Sequence, residues 1–322
     1  MFPKIITKPK LSIVVPCYNE QDVLEMTTTH LVELINDLIK KEIISEESFI
    51  LFIDDGSKDQ TWNMIKSYSE KITYVTGLKL AKNAGHQNAL LAGLIHVIDR
   101  VDCAVSIDAD LQDDPNVIHE FLNKFTKGFD IVYGVRKSRE KDTYFKRTTA
   151  KSFYKLMIKM GVNIIDDHAD FRLMSNRALK DLKEFQEVNL FLRGLIPLIG
   201  YKSTKVYYHR HERVAGESKY PLKKMLAFSL DGITSFSITP IRLVTVTGLA
   251  FSIFSLLAGL YAITSKFLGN TVSGWTSIIL SVWFIGGIQL MSLGLIGEYI
   301  GKIYKETKRR PRYFIEEETK IK

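Results

Sequence analysis

The stretch Cys103-Ala104-Val105-Ser106-Ile107-Asp108-Ala109-Asp110-Leu111-Gln112-Asp113-Asp114-Pro115 runs from an apolar segment straight into a cluster of carboxylates. Cys103–Ile107 is small, apolar or β-branched throughout, the pattern of a strand buried on both faces. Asp108 and Asp110 then stand at its end, where two uncompensated carboxylates repel each other and lose solvation, so a bound cation gives a reason to keep both. With no thiol or imidazole nearby in this reading, hard oxygen donors favour Mg²⁺ or Mn²⁺, and a cation that keeps several waters bridges to substrate phosphates.

Outward from this strand, Leu11–Val15, Phe49–Ile53, Ile72–Leu78 and Ile131–Val135 also read as strands. Gln21–Lys40, Thr61–Glu70, Ala84–Val97 and Asn116–Phe125 read as amphipathic helices between them. The alternation predicts an α/β sheet with helices on both faces, whose ligands bind at the carboxyl ends of the strands. Three of those ends carry acids: Glu20 after the first strand, Asp54 and Asp55 after the second, and the Asp108 cluster after the fourth.

Composition narrows the function classes. At 322 residues and 46% hydrophobic, the chain is neither disordered nor of low complexity. Its two cysteines, Cys17 and Cys103, cannot build a disulfide framework, which points to a reducing compartment. A net charge of +8 permits an anionic partner, but no recognisable nucleic-acid module accompanies it. A GxGxxG fingerprint is absent, and Gly301-Lys302 is preceded by Ile296 where a phosphate loop needs Gly, so dinucleotide and P-loop readings lose their support. His209 and His211 share a strand face but lie among Arg210, Glu212 and Arg213, a solvated strand rather than a zinc site.

The last third is different in character. Leu243–Ser265 and Phe267–Gly297 carry no charged residue or histidine, and each exceeds the ~20 residues that cross a bilayer. Two transmembrane helices are predicted, at about 241–265 and 275–299 within 239–302. Lys and Arg gather before the first and after the second, at Lys302, Lys305, Lys308, Arg309, Arg310 and Arg312, which places both ends in the cytoplasm. Ahead of the spans, 219–238 reads as an amphipathic helix lying in the membrane interface, and 303–322 as a basic cytoplasmic tail. No signal peptide precedes the first strand in this reading, so the domain over 1–218 is expected inside the cell.

Taken together, Val14-Val15-Pro16-Cys17-Tyr18-Asn19-Glu20, Ile53-Asp54-Asp55-Gly56-Ser57, Asn83-Ala84-Gly85-His86-Gln87, Asp108-Ala109-Asp110-Leu111-Gln112-Asp113, Ala169-Asp170-Phe171-Arg172-Leu173 and Arg213-x-x-Gly216-x-Ser218-Lys219 resemble the polyprenyl-phosphate glycosyltransferases of glycosyltransferase family 2. The carboxyl end, Gly297–Tyr304 and Arg310–Phe314, is similar to their two-span bacterial branch. The resemblance implies a GT-A, Rossmann-like domain at 1–218, joined to the interfacial helix and two spans, in a bacterial cytoplasmic membrane. It implies that Pro16, Tyr18, Glu20, Asp54, Asp55, Asn83, Gly85, Asp108 and Ala109 bind the nucleotide sugar, and that Asp108, Asp110 and Gln112 hold Mg²⁺ or Mn²⁺. Arg136, Arg139, Arg147, Arg213, Ser218 and Lys219 would handle donor and acceptor phosphates, with Asp170, Asp110, Arg136 and Arg213 as catalytic residues.

The implied reaction is inverting transfer of a hexose, glucose first, from a UDP-sugar to undecaprenyl or another polyprenyl phosphate. UDP-N-acetylglucosamine or GDP-mannose is the alternative donor, and a non-catalytic membrane scaffold the alternative class. A homo-oligomer is compatible with either. Asp170 is the family's candidate base, but a phosphate monoester with a second pKa near ~6 is already largely ionised and needs little deprotonation, so an orienting role for Asp170 stands beside that of a base. The product, once flipped, would decorate a cell-wall polymer or surface glycan. A processive polysaccharide synthase is disfavoured because no Arg-Trp pair is present.

Overall fold

A computed structural model of the protein describes residues 8–137, 168–188, 190–209, 239–268 and 274–319. The chain divides into two compact units, an α/β unit that resumes at Arg309 and a helical unit ending at Lys308.

In the α/β unit the elements run β1 (Leu11–Cys17), α1 (Gln21–Lys40), β2 (Phe49–Asp54), α2 (Thr61–Lys71), β3 (Val75–Leu80), α3 (His86–His96), β4 (Cys103–Ser106), α4 (Ile118–Thr126), β5 (Ile131–Arg136), β6 (His168–Ser175), α5 (Asn176–Glu184), the short α6 (Leu192–Leu195), β7 (Ser203–Tyr208) and, after the helical unit, β8 (Ile315–Glu318). Among the described residues these strands form one sheet in the order β7-β5-β6-β4-β1-β2-β3-β8. β1, β2, β3 and β4 are mutually parallel, while β6 runs antiparallel to β4 and β5, and β8 antiparallel to β3.

Every residue of β1 and β2 is buried, as their uninterrupted apolar runs demand. One core packs Leu11, Ile13 and Val15 with Leu24, Leu31, Ile35 and Phe121 of α1 and α4. The other packs Val14, Leu51 and Ile53 with Ala89, Leu90 and Leu94 of α3 and Leu179 of α5. This is the predicted sheet with helices on both faces, and it aligns the carboxyl ends of β1, β2 and β4.

The helical unit contains α7 (Thr239–Phe267) and α8 (Trp275–Thr307). The two touch through Phe251 and Phe284, whose ring centroids lie 5.8 Å apart. Among the described residues, Phe284–Thr307 is long and apolar enough to cross a membrane, and Thr239–Phe251 is a shorter apolar helical stretch. The predicted interfacial helix at 219–238 lies outside the described residues, as do Arg139, Arg147, Arg213, Ser218 and Lys219.

The carboxyl end departs from the predicted basic tail. α8 continues to Thr307, and Ile315–Glu318 adds an edge strand to β3. Its acids find partners there: Glu317 accepts from the Trp62 indole at 3.0 Å and pairs with Lys66 at 2.6 Å, and Glu318 meets His96 and Arg100 at 2.8 and 3.1 Å.

Candidate active site

The loops after β1, β2 and β3 are laced to one another by backbone and short side chains. Cys17 O accepts from the Asp55 N–H at 2.9 Å, Asn19 Oδ1 from Lys58 N–H at 2.8 Å, and Thr61 Oγ1 from Glu20 N–H at 2.9 Å. Asp54 accepts from the Ser57 N–H at 3.3 Å, which closes the turn after β2. Asp55 turns its carboxylate onto the next loop, accepting from Ala84 N–H at 2.7 Å and Gly85 N–H at 3.0 Å. Those two bonds, with Gly85 at φ +91°, are why α3 starts at His86 rather than at the predicted Ala84. Gly56, at φ +67°, lies so close beneath residues 82–83 that a Cβ there would fall 2.6 Å from the Asn83 nitrogen.

Of the predicted nucleotide-sugar set, Asp54 and Asp55 are therefore buried and occupied by backbone donors, and burial raises both carboxyls above their ordinary range. Pro16 and Ala109 are buried, Tyr18, Glu20 and Gly85 are half-buried, and Asn83 is exposed on the rim that these loops form. Asp54 and Asp55 brace these loops from within.

β4 ends at Ser106 and the carboxylate cluster follows at once. Ala109 O accepts from Thr27 Oγ1 of α1 at 2.6 Å, which fixes the loop between Asp108 and Asp110. Gln112 N–H donates to Asp110 Oδ1 at 3.2 Å. Asp113 is committed elsewhere, accepting from Tyr208 OH at 2.6 Å and Arg136 Nη2 at 3.2 Å, and Asp114 accepts from Asn116 N–H at 3.0 Å as a helix cap. The sheet thus sorts the acids: Asp108 and Asp110 are half-exposed, whereas Asp113 is buried. Asp108 and Asp110 are oxygen donors suited to a hard divalent cation. Among the described residues no group of three or more His, Cys, Asp or Glu side chains forms a metal site, so such a cation would complete its shell with water and phosphate oxygens.

Opposite this loop stands β6. Ser106 pairs with Arg172 across the antiparallel ladder, and continuing that register brings Asp170 to face Asp108. Asp170 accepts from Arg172 Nη2, from Arg193 Nε at 3.3 Å and Nη2 at 3.0 Å, and from Gln87 Nε2 at 3.4 Å. Burial opposes its ionisation, yet Arg193, the neighbouring His86 and Arg172 outweigh burial and hold the carboxyl well below its usual range.

His86 joins the two acids. Its Nε2 lies 3.6 Å from Asp108 Oδ1 and 3.7 Å from Asp170 Oδ2, with 39% of the side chain exposed. Burial opposes its protonation, but the neighbouring carboxylates of Asp170 and Asp108 push its pKa up to about 9. The expectation of no imidazole near Asp108 is overturned here, because α3 swings its first residue over the end of β4, from a motif remote in sequence.

Three further groups escaped the sequence reading. Gln87 sits in a motif it quoted, next to His86. Arg193 gave no signal, since its partner Asp170 precedes it by 23 residues and α6 is a single turn. Tyr208 emerges only from the pairing of β7 with β5. Arg136, predicted to handle phosphate, is instead paired with Asp113 in this structure.

A mixed sheet of this order, with an Asp-x-Asp loop leaving β4 beside the interlaced loops after β1, β2 and β3, is a GT-A-like Rossmann arrangement. Residues 12–183 match the model of Glycosyl transferase family 2, and residues 239–303 that of the GtrB C-terminal hairpin. The chain is 56% identical over 310 residues to the uncharacterised glycosyltransferase YkoT of Bacillus subtilis (strain 168), covering 96% of this chain and 92% of that one. It is 40% identical over 308 residues to the bactoprenol glucosyl transferase of Shigella phage SfX, covering 95% and 98%. Among solved structures it is similar to glucosyl-3-phosphoglycerate synthase from Mycobacterium tuberculosis, with a TM-score of 0.45 at 15% identity over 71% of this chain and 79% of that one. The protein belongs to glycosyl transferase family 2 and is a glycosyltransferase.

Proposed function

We propose that the protein moves a hexose, glucose foremost, from a UDP-sugar to a polyprenyl phosphate at the cytoplasmic leaflet, with inversion. The observation that carries this reading is the likeness to the bactoprenol glucosyl transferase of phage SfX over nearly the whole of both chains, transferase domain and C-terminal hairpin together. UDP-N-acetylglucosamine or GDP-mannose is the alternative donor.

A two-span membrane anchor is part of the proposal. It is supported by the apolar surface of α7 and α8, where Leu249, Leu257, Leu290 and Met291 are exposed and suited to lipid rather than water. The basic run Lys302–Arg312 after the second span favours a cytoplasmic carboxyl end, and the interfacial helix at 219–238 would hold the site against the lipid head.

For the chemistry, the rim residues Tyr18, Glu20 and Asn83 would hold the nucleotide over the loop floor built by Asp54 and Asp55. Asp108 and Asp110, with Gln112 beside them, would hold Mg²⁺ or Mn²⁺, which when bound offsets the negative charge of the leaving diphosphate. The acceptor phosphate is already an anion and needs no strong base. Asp170 suits an orienting role: it stays ionised and fixes Arg172 and Arg193 beside the Asp108 loop. Arg213, Arg139, Arg147, Ser218 and Lys219 remain proposed phosphate ligands, and Arg136 would join them by releasing Asp113.

The test is a donor panel: purified protein in detergent, undecaprenyl phosphate, Mg²⁺ or Mn²⁺, and labelled UDP-glucose, UDP-N-acetylglucosamine, UDP-galactose and GDP-mannose. Label entering the lipid from UDP-glucose alone supports the reading, and label from another donor only corrects the sugar.

A further inference from the structure

Two guanidiniums converge on the Asp170 carboxylate. Arg172, with 1% of its side chain exposed, pairs with Asp170 Oδ1 from within the sheet. Arg193 brings a second positive charge along the carboxylate edge, with 32% of its side chain exposed.

The turn that carries Arg193 is fixed. Phe191, Leu192 and Leu195 are buried, so the segment cannot rotate without exposing them. Leu192 N–H donates to Gln87 Oε1 at 3.1 Å, while Gln87 Nε2 reaches Asp170 Oδ2 at 3.4 Å. A long surface side chain ordinarily gives up rotamer freedom when it binds; Arg193 has given it up in advance. Its position is also specific, because the Asp170 Oδ2 that it meets lies 3.7 Å from His86 Nε2, which in turn lies 3.6 Å from Asp108 Oδ1. The guanidinium therefore stands one carboxylate and one imidazole away from the Asp-x-Asp loop.

We propose that Arg193 is a phosphate-binding residue of the transferase, contacting oxygens of the donor diphosphate or of the acceptor phosphate, with Asp170 and Gln87 as the positioning residues that hold it. The inference rests on the polyprenyl-phosphate transferase reading. A guanidinium suits this role because its planar fork meets two phosphate oxygens at once and stays charged at every physiological pH.

The experiment uses the full-length protein in detergent and compares wild type with Arg193→Ala, Arg193→Gln and Arg193→Lys. Four quantities are read: the UDP dissociation constant with Mg²⁺ by calorimetry, KM and kcat with undecaprenyl phosphate as the varied substrate, and the melting temperature. Loss of one charge-assisted contact predicts a fall of roughly 10- to 100-fold in kcat/KM for Arg193→Ala and Arg193→Gln, with partial recovery in Arg193→Lys. A weaker UDP constant assigns the contact to the donor diphosphate, and a raised acceptor KM with unchanged UDP binding assigns it to the acceptor; either supports the proposal. Unchanged UDP binding, KM and kcat overturns it, as does a loss of activity that follows only the melting temperature. If Arg193→Ala does not fold, the Gln and Lys variants carry the comparison. A wild-type protein that transfers no sugar to undecaprenyl phosphate overturns the parent reading and this one with it, whereas an active wild type with indifferent variants overturns Arg193 alone.

Discussion

Asp55 reaches across from the end of β2 and accepts the N–H of Gly85 at 3.0 Å, so that the second and third strand loops share one carboxylate. Its other oxygen accepts Ala84 N–H at 2.7 Å, and burial leaves no water to replace either bond. Asp55→Asn keeps the shape but turns an amide N–H₂ toward an N–H donor. A buried donor left unsatisfied costs about 1–3 kcal/mol. Thermal unfolding is expected to show a loss of that size, and calorimetry a weaker UDP constant, because the Asn83 rim rides on this loop.

Gly56 offers a sharper version of the same test. Gly56→Ala sets a Cβ 2.6 Å from backbone atoms of residues 82 and 83 at a φ of +67°. The predicted cost is about 1–3 kcal/mol of backbone strain plus the displacement of the loop. Gly128→Ala is the control: its φ is +83° but nothing lies within 4 Å of the added Cβ. Gly128→Ala should cost about 1 kcal/mol of conformational strain and leave UDP binding unchanged. Equal effects on UDP binding would show that close approach at Gly56 does not shape the cradle.

Asp170 carries a pH signature. Its pKa is lower folded than unfolded, so its contribution to stability is complete above the unfolded value of about 3.9 and disappears as pH falls through the lower folded value. Asp170→Asn leaves Arg172 buried without its carboxylate, at a cost of about 3–5 kcal/mol. The melting-temperature gap between wild type and Asp170→Asn should be widest at about pH 5–6 and narrow on the acid side only below about pH 4. It should shrink as pH rises above about 6.5, because the stability that His86 owes to Asp170 is lost on the way to its folded pKa of about 9. A gap that narrows as pH falls from about 7 to 5 would mean that Asp170 titrates there and has the pKa of a base.

The acidic edge strand makes a further prediction. Thr319 Oγ1 accepts Gly77 N–H at 2.7 Å and meets Thr76 Oγ1 at 3.2 Å, both buried. Ending the chain at Tyr313 removes these bonds and leaves the β3 edge open. Lower thermal stability and concentration-dependent aggregation are expected by light scattering, since an uncovered strand edge invites pairing.

How much of this the sequence disclosed follows from where each residue's partner lies. β1, β2 and the Asp108 loop were readable because a buried parallel strand is apolar throughout and its end carries the acids. β6 was not, because His168-Ala169-Asp170-Phe171-Arg172 alternates charge into the interior, a pattern that makes sense only once Asp170 and Arg172 pair with each other. β8 hid for the same reason: Ile315–Glu318 is mostly acid, and its stabilising partners Trp62, Lys66, His96 and Arg100 lie more than 200 residues earlier. Arg193 and His86 became part of the site only through the fold.

The most direct test of the central claim is transfer of label from UDP-glucose to undecaprenyl phosphate, measured with and without the acceptor, in wild type and in Asp110→Ala. The account predicts acceptor-dependent, divalent-cation-dependent label in the lipid phase with wild type, and a loss of at least about 100-fold in Asp110→Ala while the protein stays folded. Label that appears without the acceptor, or that survives unchanged in Asp110→Ala, would contradict it.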